Sequence, residues 1–157
     1  MNILFFLTPK SEVAYIYNDG TLRQALEKME YYRYTAIPIL NHAGQYIGTL
    51  TEGDLLRIIK KQYSLNLHDA EDFPIEEIPR RWKYAPVNAG CTIEELVDTS
   101  MQQNFVPVVD DQNVFIGIIR RKQIIEHLYK KNQRTQDLKI TVPLPNAAAA
   151  MKEGTPV

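Results

Sequence analysis

The chain has 157 residues, 45% of them hydrophobic and 24% charged, with a formal net charge of −1. That length holds one compact domain or two small repeats sharing a core, and the near-zero charge excludes a global field drawing the chain to nucleic acid or an anionic membrane. The single cysteine, Cys91, can form no internal disulfide, which fits a reducing compartment; its plainest role is that of a small, half-buried residue.

In chain order, "MNILFFL" (1–7) carries no basic residue ahead of its short apolar run, and "TPK" follows at once. It therefore reads as a segment that packs on the domain rather than as a secretory leader. No run approaches the roughly 20 apolar residues of a membrane span, and a cytoplasmic location is expected. "VAYIY" (13–17) is a short strand. Thr21 and Gln24 form a capping box, and Leu22, Ala25, Leu26 and Met29 give the stripe of a half-buried helix. "TAIPIL" and "YIGTL" flank the turn "NHAG" and predict a β-hairpin. A second helix carries Leu55, Leu56, Ile58 and Ile59.

The pattern then recurs. Pro38 falls on Pro107, Gly48 on Gly117 and Tyr46 on Phe115, and "NHAG" meets "DDQN". Upstream, the capping box Thr92/Glu95 answers Thr21/Gln24, and Ile93, Leu96, Val97 and Met101 form a looser stripe; a weaker strand, "YAPV", precedes it. Each copy is β-α-β-β-α, and neither has enough apolar surface to stand alone. The expected fold is α/β of the α+β kind, two repeats packed face to face around a pseudo-two-fold axis. The boundaries are 1–63 for the first repeat with its lead-in, 64–79 for a polar linker whose "FPIEEI" packs locally, and 80–131 for the second repeat. Residues 132–157 form a mobile tail with one short helix from Ala147 capped by Asn146; docking of that tail on a partner is the other reading.

Thr51 and Asp54 open the second helix, three residues apart and beside Gly48 and Gly53. They read as a helix cap, or as a carboxylate for ribose with a hydroxyl and free N–H groups for phosphate. The sequence shows no catalytic constellation. His42, His68 and His127 have no metal spacing, and Glu76-Glu77 and Glu94-Glu95 are solvated faces. "RRWKY" (80–84) and "RRKQIIEHLYKKNQR" (120–134) interleave basic and aromatic residues, but without net positive charge they suit a solvated face or phosphate ligands better than nucleic acid. The tyrosines at 15, 17, 31, 32 and 34 suit core and dimer packing.

With "TLRQALEKM", "YTAIP" and "YIGTLTEGDLL" in the first copy and "NFVPVVD" and "FIGII" in the second, residues 8–130 resemble a tandem pair of CBS domains, the Bateman module, as in the stand-alone CBS proteins of bacteria. The resemblance implies a regulatory module without chemistry, metal or required cofactor, holding an adenine nucleotide such as AMP, ADP or ATP between the repeats, and commonly a homodimer. It implies a main cleft of Thr51 and Asp54 facing Tyr84, Ala85, Asn104, Phe105 and Val106, to which Arg80, Arg81 and Lys10 add phosphate ligands. A second, weaker cleft would use Val13, Ala14, Tyr34, Thr35 and Ala36 with Arg120 and Gln123, which stand where the family has Thr/Ser and Asp. The alternatives are a sensor of cyclic di-AMP or S-adenosylmethionine, and a ligand-free dimerisation module that presents itself to a protein partner.

Overall fold

The computed structural model of the chain describes residues 1–61 and 67–141. Its contacts divide into a body of Met1–Ile124, which holds both repeats up to the first turn of the last helix, and a unit from Ile125 onward.

The body begins with a short 3-10 turn, Ile3–Phe6, and strand β1 (Thr8–Pro9). The first repeat follows as β2 (Ile16–Tyr17), α1 (Leu22–Tyr32), β3 (Ala36–Leu40), β4 (Tyr46–Thr51) and α2 (Glu52–Lys61). After the short helix α3 (Leu67–Asp72), the second repeat runs β5 (Val87–Asn88), α4 (Ile93–Ser100), β6 (Phe105–Val109), β7 (Phe115–Arg120) and α5 (Arg121–Thr141). Both expected capping boxes form: the Thr21 hydroxyl accepts from Gln24 N at 3.3 Å, and Thr92 accepts from Glu95 N at 3.2 Å. Helix α1 stops because Arg33 adopts the left-handed conformation, φ 56°.

The β-α-β-β-α repeats are as expected, with one sheet ordered β2-β3-β4 and the other β1-β7-β6-β5. The leading strand of each repeat pairs parallel to the next, and each hairpin is antiparallel. The hairpins repeat one another in detail. Each opens on an Asx residue, Asn41 or Asp110, whose side chain accepts from Gln45 N or Val114 N. Each ends on a left-handed residue, Gly44 at φ 82° or Asn113 at φ 62°, and each has a register shift four residues before that residue. Glycine, and next to it asparagine, tolerates that backbone best.

Three apolar clusters hold the body together. Leu22, Ala25, Met29, Ile37, Ile39, Leu50, Leu55 and Ile58 fill the space between the first sheet and its helices, where the linker residues Ala70, Ile75 and Ile78 join them. "FPIEEI" packs locally, with Leu22 N donating to Phe73 O and Ile75 N to Gly20 O. Leu96, Val106, Val108, Ile119 and Ile124 do the same for the second sheet. Between the sheets lie Val13, Ala36, Leu40, Tyr46, Phe105, Val109, Phe115 and Ile118.

Two features differ from the sequence expectation. The opening segment, assigned with the first repeat, serves the second: Ile3 and Phe6 are buried in that repeat's cluster, and β1 pairs with the edge of β7. Position along the chain does not reveal which sheet edge a lead-in strand covers. Helix α5 also continues to Thr141, so residues 132–141, assigned to the tail, are helical. The helix expected from Ala147 lies outside the described residues.

The docking of β1 leaves no room beside Gly117, where a Cβ would overlap the Thr8 carbonyl oxygen and come within 3.1 Å of Pro9 Cα. Gly117→Ala is expected to dislodge β1 and the Ile3–Phe6 turn and to cost about 1–3 kcal/mol, the usual range for overpacking, read from urea denaturation.

Candidate functional site

The N-terminus of α2 is closed by a reciprocal pair. Asp54 N donates to the Thr51 hydroxyl at 3.2 Å, and Thr51 N donates to Asp54 Oδ2 at 3.0 Å. This is a capping box with aspartate in the place of glutamate, and an acid here also suits the helix dipole. Asp54 is 1% exposed, and a buried carboxylate needs partners. Its Oδ1 accepts from the Arg57 guanidinium, one turn along α2, and from the backbone N of Arg81 at 3.2 Å. Both oxygens of the carboxylate are therefore engaged, one by the cap and one by the segment that leads into the second repeat.

That segment, 78–86, runs along β4. The Arg80 guanidinium lies against Gly48, where a Cβ would overlap it. Arg80 also lines a cleft of about 590 Å³ with Ile47, Gly48, Trp82, Lys83, Tyr84 and Tyr46. Trp82 is 67% exposed, so its ring is available on this surface. Tyr46, on β4, fixes the far side. Burial pushes its hydroxyl well above the usual tyrosine range, so it stays protonated and donates to Tyr84 O at 3.2 Å while accepting from Thr49 at 2.7 Å. Tyr84 stacks at a tilt on Phe105, ring centroids 5.2 Å apart, and its hydroxyl accepts from Asn104 N at 3.5 Å.

The residues of the expected main cleft thus fall into two groups. Thr51, Asp54 and Arg81 meet at the start of α2; Tyr84, Asn104 and Phe105 meet beside the inter-repeat cluster. The backbone of Ala85 is already bonded on both sides, since its N donates to Gln103 Oε1 and its O accepts from Gln103 Nε2, each at 2.9 Å. Val106 requires a correction: its side chain is fully buried in the second repeat's own cluster, because alternation along β6 turns it away from Phe105, and it lines neither the 590 Å³ cleft nor the second one. Lys10 sits over the Tyr15 ring, 5.3 Å from its centroid and near Gly44, and lines neither the 590 Å³ cleft nor the second one.

The second cleft is a pocket of about 330 Å³. Tyr34, Thr35, Ala36 and Arg120 of the expected set line it with Arg33 and Lys122, and so do Asn104 and Phe105, which were expected in the main cleft and do not line the 590 Å³ one. Val13 and Ala14 do not: Val13 is buried between the sheets and Ala14 in the first repeat's cluster, with its N donating to the Tyr34 hydroxyl at 3.4 Å. Gln123 is a cap, its Oε1 accepting from Arg120 N at 3.0 Å in the way Asp54 accepts from Thr51.

Arg57, Gln103, Arg33 and Tyr46 were not singled out from sequence. Arg57 had a signal, lying three residues from Asp54 on one helix face. Gln103 had none, since nothing local marks a glutamine for burial. Among the described residues no group of three or more His, Cys, Asp or Glu could hold a metal ion, and no helix is long and apolar enough to cross a membrane.

The family model for the CBS domain matches residues 7–61 and 75–130. An uncharacterized protein of Methanocaldococcus jannaschii is 23% identical over 137 residues, 80% of this chain and 49% of its own. The inosine-5'-monophosphate dehydrogenase of Aquifex aeolicus is 26% identical over 125 residues, 74% of this chain and 24% of its own. The chain therefore spans half or less of these curated relatives. Among solved structures, CbpB in complex with c-di-AMP superposes with a TM-score of 0.75 at 23% identity, covering 87% of this chain and 90% of that one. CBSX2 in complex with AMP gives 0.61 at 18% identity, covering 83% and 98%.

Because Asp54 is bound on both oxygens, Asp54→Ala is expected to cost about 2 kcal/mol of stability, through loss of the cap and exposure of unpaired donors at Thr51 N and Arg81 N. Asp54→Asn keeps one acceptor oxygen for the cap and is expected to cost roughly half as much. Urea denaturation of the two variants beside the parent chain separates them.

Proposed function

The chain belongs to the CBS-domain family, with two repeats of it in tandem, and from that premise we propose that it is a regulatory module binding an adenine-containing nucleotide between its repeats, without chemistry of its own. One observation carries the reading furthest. Thr51 and Asp54 stand paired at a helix N-terminus, with Arg80, Lys83, Trp82 and Tyr84 of the next segment laid along the same strand. A carboxylate accepts from two vicinal ribose hydroxyls at once, cations and helix N–H groups suit phosphate, and flat rings suit a base. Structural neighbours solved with c-di-AMP and with AMP support the ligand class. A ribose on Asp54 would take the place of Arg81 N or Arg57 at Oδ1.

The saturation of Asp54 by the chain itself favours a second reading, a ligand-free module that works by dimerisation or protein contact. A homodimer belongs to either reading. Leu56 and Ile59, one turn apart on α2, are 66% and 43% exposed and offer an apolar face for it. Leu56→Glu is expected to leave a monomer in light scattering, and an unchanged mass would remove α2 from the interface.

A thermal-shift series with AMP, ADP, ATP, S-adenosylmethionine, NAD and cyclic di-AMP tests the ligand reading. A ligand at 100 times its Kd stabilises by about 2.7 kcal/mol, a shift of several degrees. The expected result is a shift with at least one of them that shrinks in Asp54→Asn. No shift with any at millimolar concentration would leave the ligand-free reading.

A further inference from the structure

The second cleft departs from the first in charge. Its walls hold three cations, Arg33, Arg120 and Lys122, and no carboxylate. Arg33 arrives by an unusual route, as the left-handed residue that ends α1, which turns its side chain toward this cleft instead of continuing the helix surface. Arg120 is the last residue of β7, the position held by Thr51 in the first repeat. Neither Arg33 nor Arg120 has a side-chain ion pair among the described residues, whereas Arg57 is committed to Asp54. Between them Thr35 and Asn104, equivalent residues of the two repeats, meet at 3.4 Å, and Arg121 donates to Asn104 Oδ1 at 2.5 Å. Two unpaired guanidinium groups, an ammonium, a hydroxyl and an amide thus converge on a pocket of about 330 Å³. The two guanidinium groups, without an ion pair among the described residues, repel one another, and an anion with several oxygens relieves that repulsion while using the planar donors of arginine in pairs.

We propose that this pocket is an oligophosphate site, so that the protein prefers ligands carrying two or more linked phosphates over monophosphates. The pocket itself stands on its own geometry; the extension to nucleotides rests on the functional reading above. It reverses the ranking expected from sequence, where the loss of Thr and Asp from this repeat marked the cleft as the weaker one.

The test uses inorganic tripolyphosphate, AMP and ATP in titration calorimetry at low salt, against the parent chain and Arg33→Asn/Arg120→Thr. Asparagine tolerates the left-handed backbone at 33, and threonine restores the residue of the first repeat at 120, so both changes remove charge without straining the fold. Tripolyphosphate is expected to bind the parent chain and to bind the double variant at least tenfold more weakly, with the affinity falling as salt rises. ATP is expected to bind the parent chain more tightly than AMP, and the double variant is expected to lose most of that preference. Absence of tripolyphosphate binding, equal binding to parent and double variant, or a loss confined to Arg80→Ala/Lys83→Ala would overturn the proposal. If tripolyphosphate binds through Arg33 and Arg120 while no nucleotide binds, the pocket stands and the nucleotide reading falls; if nucleotides bind through Asp54 and tripolyphosphate ignores Arg33 and Arg120, the reverse holds.

Discussion

Two backbone hydrogen bonds join the hairpins of the repeats, Tyr46 N to Asn113 O at 3.0 Å and Phe115 N to Gly44 O at 2.9 Å. They are the same bond seen from either side of the pseudo-two-fold axis. Each depends on a residue that takes the left-handed backbone at the end of a turn and so aims its carbonyl at the other repeat. The aromatic residues that donate also stack, ring centroids 6.4 Å apart, and begin the cluster that fills the space between the sheets. With that contact closed, the other end of the sheets is fixed too, and there Thr35 meets Asn104. The clefts lie where they do because the hairpins meet where they do.

On this near-symmetric frame the repeats differ in what covers their outer edges. An open strand edge invites pairing, and proteins cover it. The second sheet uses β1, whose approach to β7 needs the bare backbone of Gly117. The first sheet uses the segment after the linker, whose Arg80 lies on Gly48, the equivalent glycine. One edge is thus closed by backbone pairing and the other by a charged side chain. The helix starts diverge in the same sense: Thr51 and Asp54 cap reciprocally, while Gln123 supplies only half of that cap and frees Arg120 to face the pocket.

The repeat, both capping boxes and both hairpins were legible because each rests on local chemistry: a side chain three residues from its partner, an Asx residue and a left-handed residue bounding a turn. The swap of the first strand onto the second sheet was not, since pairing partners distant in sequence leave no local mark. At the site, the cap of Thr51 and Asp54 was legible and the resemblance pointed to Tyr84, but neither announced that Arg57 and the backbone of Arg81 would hold the other oxygen of Asp54. The resemblance put Val106 in the cleft together with Phe105, ahead of Pro107, yet one step along a strand changes the face. The resemblance also put Ala85 there, and nothing nearby announced that Gln103, eighteen residues on, would bond both sides of its backbone. Sequence reading found the groups that bond to near neighbours and missed those held by tertiary contact.

Asp54 is where the two kinds of information meet. A carboxylate this deeply buried cannot be left unpaired, so any ligand that takes Oδ1 must replace what holds it, and one of those partners is the backbone of Arg81. The exchange trades a contact within the protein for one with the ligand, which lowers affinity below what the ligand's own hydrogen bonds would give. In the nucleotide reading proposed above, binding would then have a mechanical consequence, because Arg81 belongs to the same segment that carries Arg80 over Gly48 and Tyr84 against Tyr46. A module without catalysis can signal only through contacts that differ between its states. In the nucleotide reading proposed above, the bond from Arg81 to Asp54 is such a contact, and it lies on the path from the ligand to the second repeat.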